Sequence, residues 1–546
     1  MAFLGGRFRG SRGRGAGALA AACFGAAGCH VVTGLGGYRV DECSVNADCA
    51  RERGRGSVCR EHEEGKVCVD LRTEHCPEVI GDYADDDAVI FGALVPIDSV
   101  DAPVGKAEVN GIRLAVTEFQ ASSGGLPPVG GSGRRRPIAV VICDDASRVD
   151  RGLSSAVHLA REVRVPAIIG STFSGVSIRV ANDVTTPAGV VLISPGSTSP
   201  DITYLQDRGL VWRTIASGAI EAARIVALTE DLQVDVRARL VAAGVLAEGA
   251  PLKLQIVYKG DAYGRGFTTT SVDLLRLNGA PATDPSNKDY FRQKDYGNLS
   301  DPERNPPRYE ETVAELIEQA PHIILAYGVN EVFDDIMGPV ERGWSNPSYR
   351  PYWVFTHAQF NTAATEFLRA NDPDGAFGVR RRMVGTIAGA SYAAAYSDFR
   401  SLYQGSVNDG TPPDSFGAAN AYDALYLLAY AATAATAEGR PLDGLRLADG
   451  FARLVPPAGS RAQVGSADIN WALGELTAGR SVDLEGATGP LDFDLATGDA
   501  DAEVEVWCVP EQSGGAGLPV TTPFRFDIRG QRVGSLAQAK SACGLL

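Results

Sequence analysis

Residues 167–200 read AIIGSTFSGVSIRVANDVTTPAGVVLISPGSTSP, and the architecture follows from the alternation inside this stretch. Ala167 to Gly170 and Val190 to Ile193 are short, uninterrupted apolar runs, the pattern of strands buried on both faces. Each run feeds a turn rich in Gly, Ser and Thr: Gly170-Ser171-Thr172-Phe173-Ser174-Gly175 after the first and Ser194-Pro195-Gly196-Ser197-Thr198-Ser199-Pro200 after the second. A helix fits between them. In open parallel sheets, ligands bind where strands end and helix N-termini present unpaired N–H groups.

The same pattern continues in both directions. Upstream, the runs Ala88 to Pro96 and Ile138 to Cys143 are separated by a helix from about Val104 to Phe119 and a loop, Ser122 to Pro137. Leu153, Ala156, Val157 and Ala160 then fall at i, i+3, i+4, i+7 and make one apolar helix face. After Val211-Trp212-Arg213-Thr214 a second series starts: a helix over Ala219 to Leu232, the strand Leu252 to Tyr258, and the turn Asp261-Ala262-Tyr263-Gly264-Arg265-Gly266. A polar insertion, Asn278 to Arg308, precedes a helix over Glu310 to Gln319 and the strands His322 to Ala326 and Tyr352 to Thr356. Met383 to Ala388 is a further apolar stretch, and Gly417 to Thr436 is a helix apolar on nearly every side, suited to packing between layers. Gly489 to Phe493 and Val504 to Val509 read as a β-hairpin. The fold class is α/β, in two halves of comparable size.

Composition narrows the functions open to such a chain. Over 546 residues, 45% are hydrophobic and 22% charged, as in ordinary globular proteins. The net charge of −16 gives no general attraction to nucleic acid or anionic lipid. Residues 1–28 read as an export signal, with Arg7, Arg9, Arg12 and Arg14 before a short apolar run and no acid. The run closes on Ala26-Ala27-Gly28-Cys29, which resembles a bacterial lipobox, so Cys29 is the expected site of lipidation and the only expected membrane contact. Cys23 is the rival, with a shorter apolar run before it; a plain secretory cut is the alternative.

Cysteine use agrees with export to an oxidising compartment. Cys43, Cys49, Cys59 and Cys68 are expected to form two local bridges in a Cys-rich module over 29–76, leaving Cys76 with Cys143 and Cys508 with Cys543. A zinc site using His62 or His75 is disfavoured because no C-x-x-C pair occurs. The module's position suggests a stiff spacer or attachment unit.

Signals for catalysis are missing: the folded part holds no G-x-S-x-G, H-E-x-x-H, G-x-x-x-x-G-K-[ST] or strand-linked G-x-G-x-x-G. Of His30, His62, His75, His158, His322 and His357, only His357 stands where a cleft could use it, and one His makes no triad. The chain is therefore read as a non-enzyme without cofactor or metal.

The blocks Ile193-Ser194-Pro195-Gly196-Ser197-Thr198, Asp261-Ala262-Tyr263-Gly264-Arg265-Gly266 and Gly489-Pro490-Leu491, taken in order and spacing, resemble the type I periplasmic binding proteins, in particular the branched-chain amino-acid (leucine-binding) group of ABC importers. The resemblance runs from about Ala88 to Val509. It implies two Rossmann-like lobes with parallel sheets joined by a three-strand hinge, with crossovers near Thr214, Thr386 and Gly486. Lobe one would be 77–215 plus 386–486, and lobe two with the C-terminal tail 216–385 plus 487–546. It further implies that Ser174 and Thr198 aim hydroxyls at a ligand carboxylate, that Gly196 and Ser197 flank it with backbone groups, and that Tyr263 is an aromatic wall of lobe two. Thr356 stands where the group places an acid for the ligand ammonium, and Val104 and Val329 replace two pocket aromatics. Asp98, Asp261 or Glu331 are the candidates to make good the missing charge, since a buried ammonium needs a partner.

These readings together describe an exported, lipid-anchored solute-binding protein that closes over a small polar or carboxylate-bearing ligand and hands it to an ABC permease. The alternatives are a ligand-sensing ectodomain of the same fold, a surface or adhesion protein with a vestigial cleft, and a hydrolase built on His357.

Overall fold

The computed structural model describes residues 41–62, 65–298, 301–389, 391, 393–455, 459–512 and 515–546. The expected export signal, residues 1–28, and the expected lipidation site Cys29 lie outside them. Four disulfides join Cys43 to Cys59, Cys49 to Cys68, Cys76 to Cys143 and Cys508 to Cys543. The sulfurs of Cys43, Cys49 and Cys59 are close enough to suggest a metal site, but bridge formation leaves no thiolate to bind one.

The Cys-rich module is one helix, Asn46–Arg53, against the hairpin Ser57–His62 and Gly65–Asp70. It does not stand off as a spacer. Val58 and Leu71 enter the hydrophobic core of the first lobe, the Arg60 Nε donates to Val163 O at 2.9 Å, and Cys76–Cys143 ties the module's end to the strand Ile138–Asp144. So small a segment cannot order itself by its own core and borrows its neighbour's.

The first lobe is built on a six-stranded sheet in the order Glu78–Gly81, Ile138–Asp144, Val89–Val95, Ala167–Gly170, Val191–Ser194, Val211–Arg213. All neighbours run parallel except the edge strand Glu78–Gly81. One face is covered by the helices Ala102–Ser123 and Ala418–Thr436, which sandwich Phe119 against Tyr426 (ring centroids 4.8 Å apart) and Tyr430 (5.6 Å). The two helices cross at Gly111, where a Cβ atom would lie 2.2 Å from Ala418 O.

The second lobe has an eight-stranded sheet: Phe291–Asp295, Leu254–Tyr258, Ile323–Tyr327, Tyr352–Phe355, Met383–Ala388, Val504–Cys508, Val520–Phe526, Arg532–Val533. The first five are parallel and the last three antiparallel, so neither sheet is wholly parallel. The strand Phe291–Asp295 falls inside the polar insertion; as an edge strand of sequence FRQKD it lacks an apolar run.

Three crossings connect the lobes. The first lies at Thr214, whose N–H donates to Ser194 O and whose carbonyl accepts from Asn420 Nδ2. Thr386 sits within a strand of the second sheet, so the chain crosses after it, between Ala388 and the helix Ala394–Ser406. The third crossing is not near Gly486, because residues 487–500 stay on the first lobe. The Asp423 carboxylate accepts from Ala487 N and Thr488 N, both at 2.8 Å, and Asp499 accepts from the Arg213 Nε at 2.5 Å. The expected hairpin is accordingly absent: Phe493–Asp494 pairs with Asp499–Ala500, while Val504–Cys508 enters the second sheet between Met383–Ala388 and Val520–Phe526.

Because the wall opposite Gly111 is backbone and cannot turn aside, Gly111→Val should destabilise the protein by about 1–3 kcal/mol, the usual cost of overpacking. Urea denaturation followed by circular dichroism measures it; an unchanged midpoint would mean that the two helices do not approach this closely.

Candidate functional site

The strands Ala167–Gly170 and Val191–Ser194 end side by side, and their turns interlock through hydroxyls. Ser194 Oγ donates to Ser171 O at 2.6 Å and accepts from Ser197 N at 2.9 Å and Gly196 N at 3.3 Å. Ser197 Oγ turns inward to Ser177 Oγ, 2.7 Å, and Ser171 O, 3.0 Å. The backbone donors of Gly196 and Ser197 are thus satisfied within the turn. Ser174 Oγ accepts from Ser199 N at 3.0 Å. Thr198 differs: its carbonyl accepts from Gly218 N at 2.6 Å, but its Oγ1 is buried without a hydrogen-bond partner among the described residues.

On the facing lobe, Asp261 caps the helix Ala262–Leu274 by accepting from Gly264 N at 2.9 Å, which sets Tyr263 on the helix's inner side. The Tyr263 hydroxyl meets Thr356 Oγ1 at 2.5 Å and Gly328 O at 3.3 Å, and burial lifts its pKa well above the usual value. Thr356 also caps the turn His357–Gln359. His357 is held by Glu221: the backbone N–H donates to Oε1 at 2.9 Å and ring Nδ1 pairs with Oε2, while Thr386 Oγ1 donates to the same carboxylate at 2.8 Å. Nothing in the sequence pattern singles out Glu221, an acid in the first turn of a long helix. Val329 is buried in the second core, with its N–H on Glu331 Oε1 at 3.3 Å.

The lobes touch across these residues. Ser199 Oγ donates to Ala262 O at 3.0 Å, and the His357 ring stacks on Phe416 of the first lobe with centroids 4.9 Å apart. Tyr263 meets His357 edge-on at 5.7 Å, and Phe416 lies against Gly196, where a Cβ would be 3.3 Å from its ring. Ser174, Thr198, Tyr263 and Thr356 are therefore brought into one interface, but its centre is filled by the protein's own His357 and Phe416. Val104 packs with Ile215 and Phe416 and lines a cavity of about 560 Å³ on one side of that stack. The partition itself, Phe416, carries no signal in the sequence beyond its place before an apolar helix.

Lys259 closes another part of the seam. It is buried, its Nζ lies 3.3 Å from Asp261 Oδ2 and 5.3 Å from the centre of the Phe173 ring across the cleft. Burial works against its charge, yet Asp261, Glu331 and Asp101 raise its pKa above the ordinary value. Of the three acids expected to stand in for the missing ligand partner, Asp98 is exposed beside Arg151, Asp261 serves the helix cap and Lys259, and Glu331 accepts from Tyr296 OH at 2.6 Å. Asp261 and Glu331 are thus engaged by protein groups, while Asp98 lies exposed.

Residues 88–287 match the family model described as "Periplasmic binding protein". The Leu/Ile/Val-binding protein BraC3 of Rhizobium johnstonii is 27% identical over 209 residues, which are 37% of this chain and 49% of that protein, so the chain spans about half the length of this curated relative. In structure it is similar to the branched-chain amino-acid transporter substrate-binding protein LivJ of Streptococcus pneumoniae, solved with isoleucine, at TM-score 0.54 and 18% identity over 80% of this chain and 99% of that one. A solute-binding protein of Rhodopseudomonas palustris BisB5, solved with 3,4-dihydroxybenzoic acid, aligns at TM-score 0.53 and 17% identity over 83% and 99% of the two chains. At these identities the likeness is one of fold.

Beneath Phe416, Glu108 Oε2 accepts from Thr172 Oγ1 at 2.7 Å, and its carboxyl presses on Gly417, whose φ of +82° suits glycine. Burial pushes the Glu108 pKa up to about 8, and burial likewise pushes Asp145 to about 7. A carboxyl whose folded pKa is raised contributes stability that is complete below its unfolded pKa and is lost as pH rises through the folded value. Unfolding free energy should therefore fall between pH 5 and pH 8.5, and Glu108→Gln should shallow that fall; urea titrations at both pH values test this, and an identical slope in the variant would refute it.

Proposed function

We propose that this chain, a type I periplasmic binding protein by fold and, over residues 88–287, by sequence, captures a small carboxylate-bearing solute between its lobes on the outer side of the cytoplasmic membrane. The observation that carries the reading is the Thr198 hydroxyl: it is buried in the turn that follows the strand Val191–Ser194 and has no hydrogen-bond partner among the described residues, whereas its neighbours Ser194 and Ser197 are engaged. A carboxylate oxygen satisfies such a hydroxyl, and the Ser174 hydroxyl, which accepts from Ser199 N, keeps its own proton to donate as a second. Tyr263, Thr356 and His357 bound the same space from the opposite lobe.

The closed form holds His357 and Phe416 where the body of a solute would lie, so capture requires the lobes to open and the stack to separate. Contacts made by both lobes then favour the closed, loaded state by differential affinity. Glu221 is committed to His357 and Thr386, and Asp261 and Glu331 are committed elsewhere, so the site favours organic acids over α-amino acids. The 3,4-dihydroxybenzoic acid held by the R. palustris neighbour supports this preference on the same fold. Delivery to an ABC permease and anchoring through a lipid on Cys29 complete the reading.

Thermal-shift measurements with benzoate, 3,4-dihydroxybenzoate, leucine and isoleucine test it. A bound solute at a hundred times its Kd adds about 2.7 kcal/mol of stability, and Thr198→Val should weaken binding about tenfold or more while leaving the unliganded melting point unchanged. A shift with isoleucine and none with the aromatic acids would overturn the preference; a Thr198→Val protein that binds as well as wild type would overturn the site. For the anchor, Cys29→Ala should move the protein from the membrane fraction to the soluble one, and an unaltered distribution would exclude lipidation there.

A further inference from the structure

A second cavity, of about 390 Å³, lies at the hinge. It shares Ser415 and Phe416 with the larger cavity described above, so the Phe416 ring stands between the two. Its walls come from both lobes: Ile215, Phe416 and Asn420 from the first, Phe360, Ile387 and Glu505 from the second. The volume falls within the ~300–1,000 Å³ of small-molecule sites, which are characteristically apolar with a few placed polar groups.

The polar groups define the ligand class. Glu505 is 4% exposed on the hinge strand Val504–Cys508; its carboxylate accepts from Ser391 Oγ at 2.6 Å and Ser391 N at 3.3 Å. The cation on the cavity wall, Arg400, lies 3.5 Å from Asp414, which the Tyr396 hydroxyl also bonds. Arg525, opposite Glu505 on the adjacent strand, pairs with Glu503 at 3.2 Å and also favours the charged form of Glu505, against the larger opposing effect of burial. Burial raises the Glu505 pKa to about 7, so a cation held against this buried carboxyl stabilises its charged form; set among aliphatic and aromatic side chains, it is a group that recognises an organic cation.

We propose that the hinge cavity is a binding site for a small organic ammonium, with the charged head at Glu505 and the apolar body against Ile215, Ile387, Phe360 and Phe416. Because its walls belong to both lobes and meet at the crossing strands, occupancy fixes the angle between the lobes. Phe416 couples it to the cleft in front, so a ligand at either place alters affinity at the other by the same factor. The site is distinct from the carboxylate site of Thr198 and stands whether or not that site binds its solute.

The test is isothermal titration calorimetry of the whole exported chain with benzylammonium, cyclohexylammonium and the neutral benzyl alcohol. Saturable one-to-one binding of an ammonium, about tenfold or more tighter than the alcohol, is expected, and Glu505→Gln should erase that difference. Ile387→Trp, which fills the cavity, should abolish binding altogether, and circular dichroism of the variant reports whether it is folded. Failure of both ammonium probes to bind wild type, or binding indifferent to Glu505→Gln, would overturn the proposal. If Ile387→Trp is misfolded, the Glu505→Gln comparison decides alone.

Discussion

The Glu221 carboxylate is the fixed point of the cleft. It accepts from the backbone and ring of His357 and from Thr386, so one buried acid joins the first helix of the second lobe, the turn that carries the site residues, and a strand at the crossing. A buried charge so fully partnered costs several kcal/mol to disturb by removing one member. The consequence is positional: His357 cannot swing freely, so the surface it offers Phe416 is rigid, and the aromatic contact between lobes can form or part only as the lobes move.

The opposite side of the cleft is rigid for a different reason. Its turns are held by short hydroxyl-to-backbone bonds, and Arg213, wholly buried, donates to Ser199 O at 2.8 Å and Thr203 Oγ1 at 2.6 Å as well as to Asp499. Both walls of the seam are thus pre-organised by their own bonds.

Much of this was legible in the sequence wherever burial dictates composition. The continuous apolar runs become the central strands, and the helix at 418–436, apolar all round, lies between layers. The expected pairings of Cys76 with Cys143 and of Cys508 with Cys543 are the ones the structure has, although a count alone leaves the connectivity open. Edges were not legible: Phe291–Asp295 is polar because only one neighbour pairs with it, and Val504–Cys508 resembles a hairpin arm until Asp423 and Arg213 are seen to hold residues 487–500 on the other lobe. At the site, hydroxyl-rich turns mark the place but not which hydroxyl is spent internally; Ser197 and Thr198 are adjacent and differ entirely. Glu221, Phe416 and Lys259 act through contacts far apart in sequence and leave no local pattern.

Among the described residues, the amino-terminal module is cross-linked and hydrogen-bonded to the first lobe, through Cys76–Cys143 and Arg60. Mechanical load entering by that module is delivered into a central strand of one lobe and bypasses the hinge. A tether attached there would hold one jaw still and leave the other to swing at its natural rate, so docking to a surface and opening to a solute need not compete.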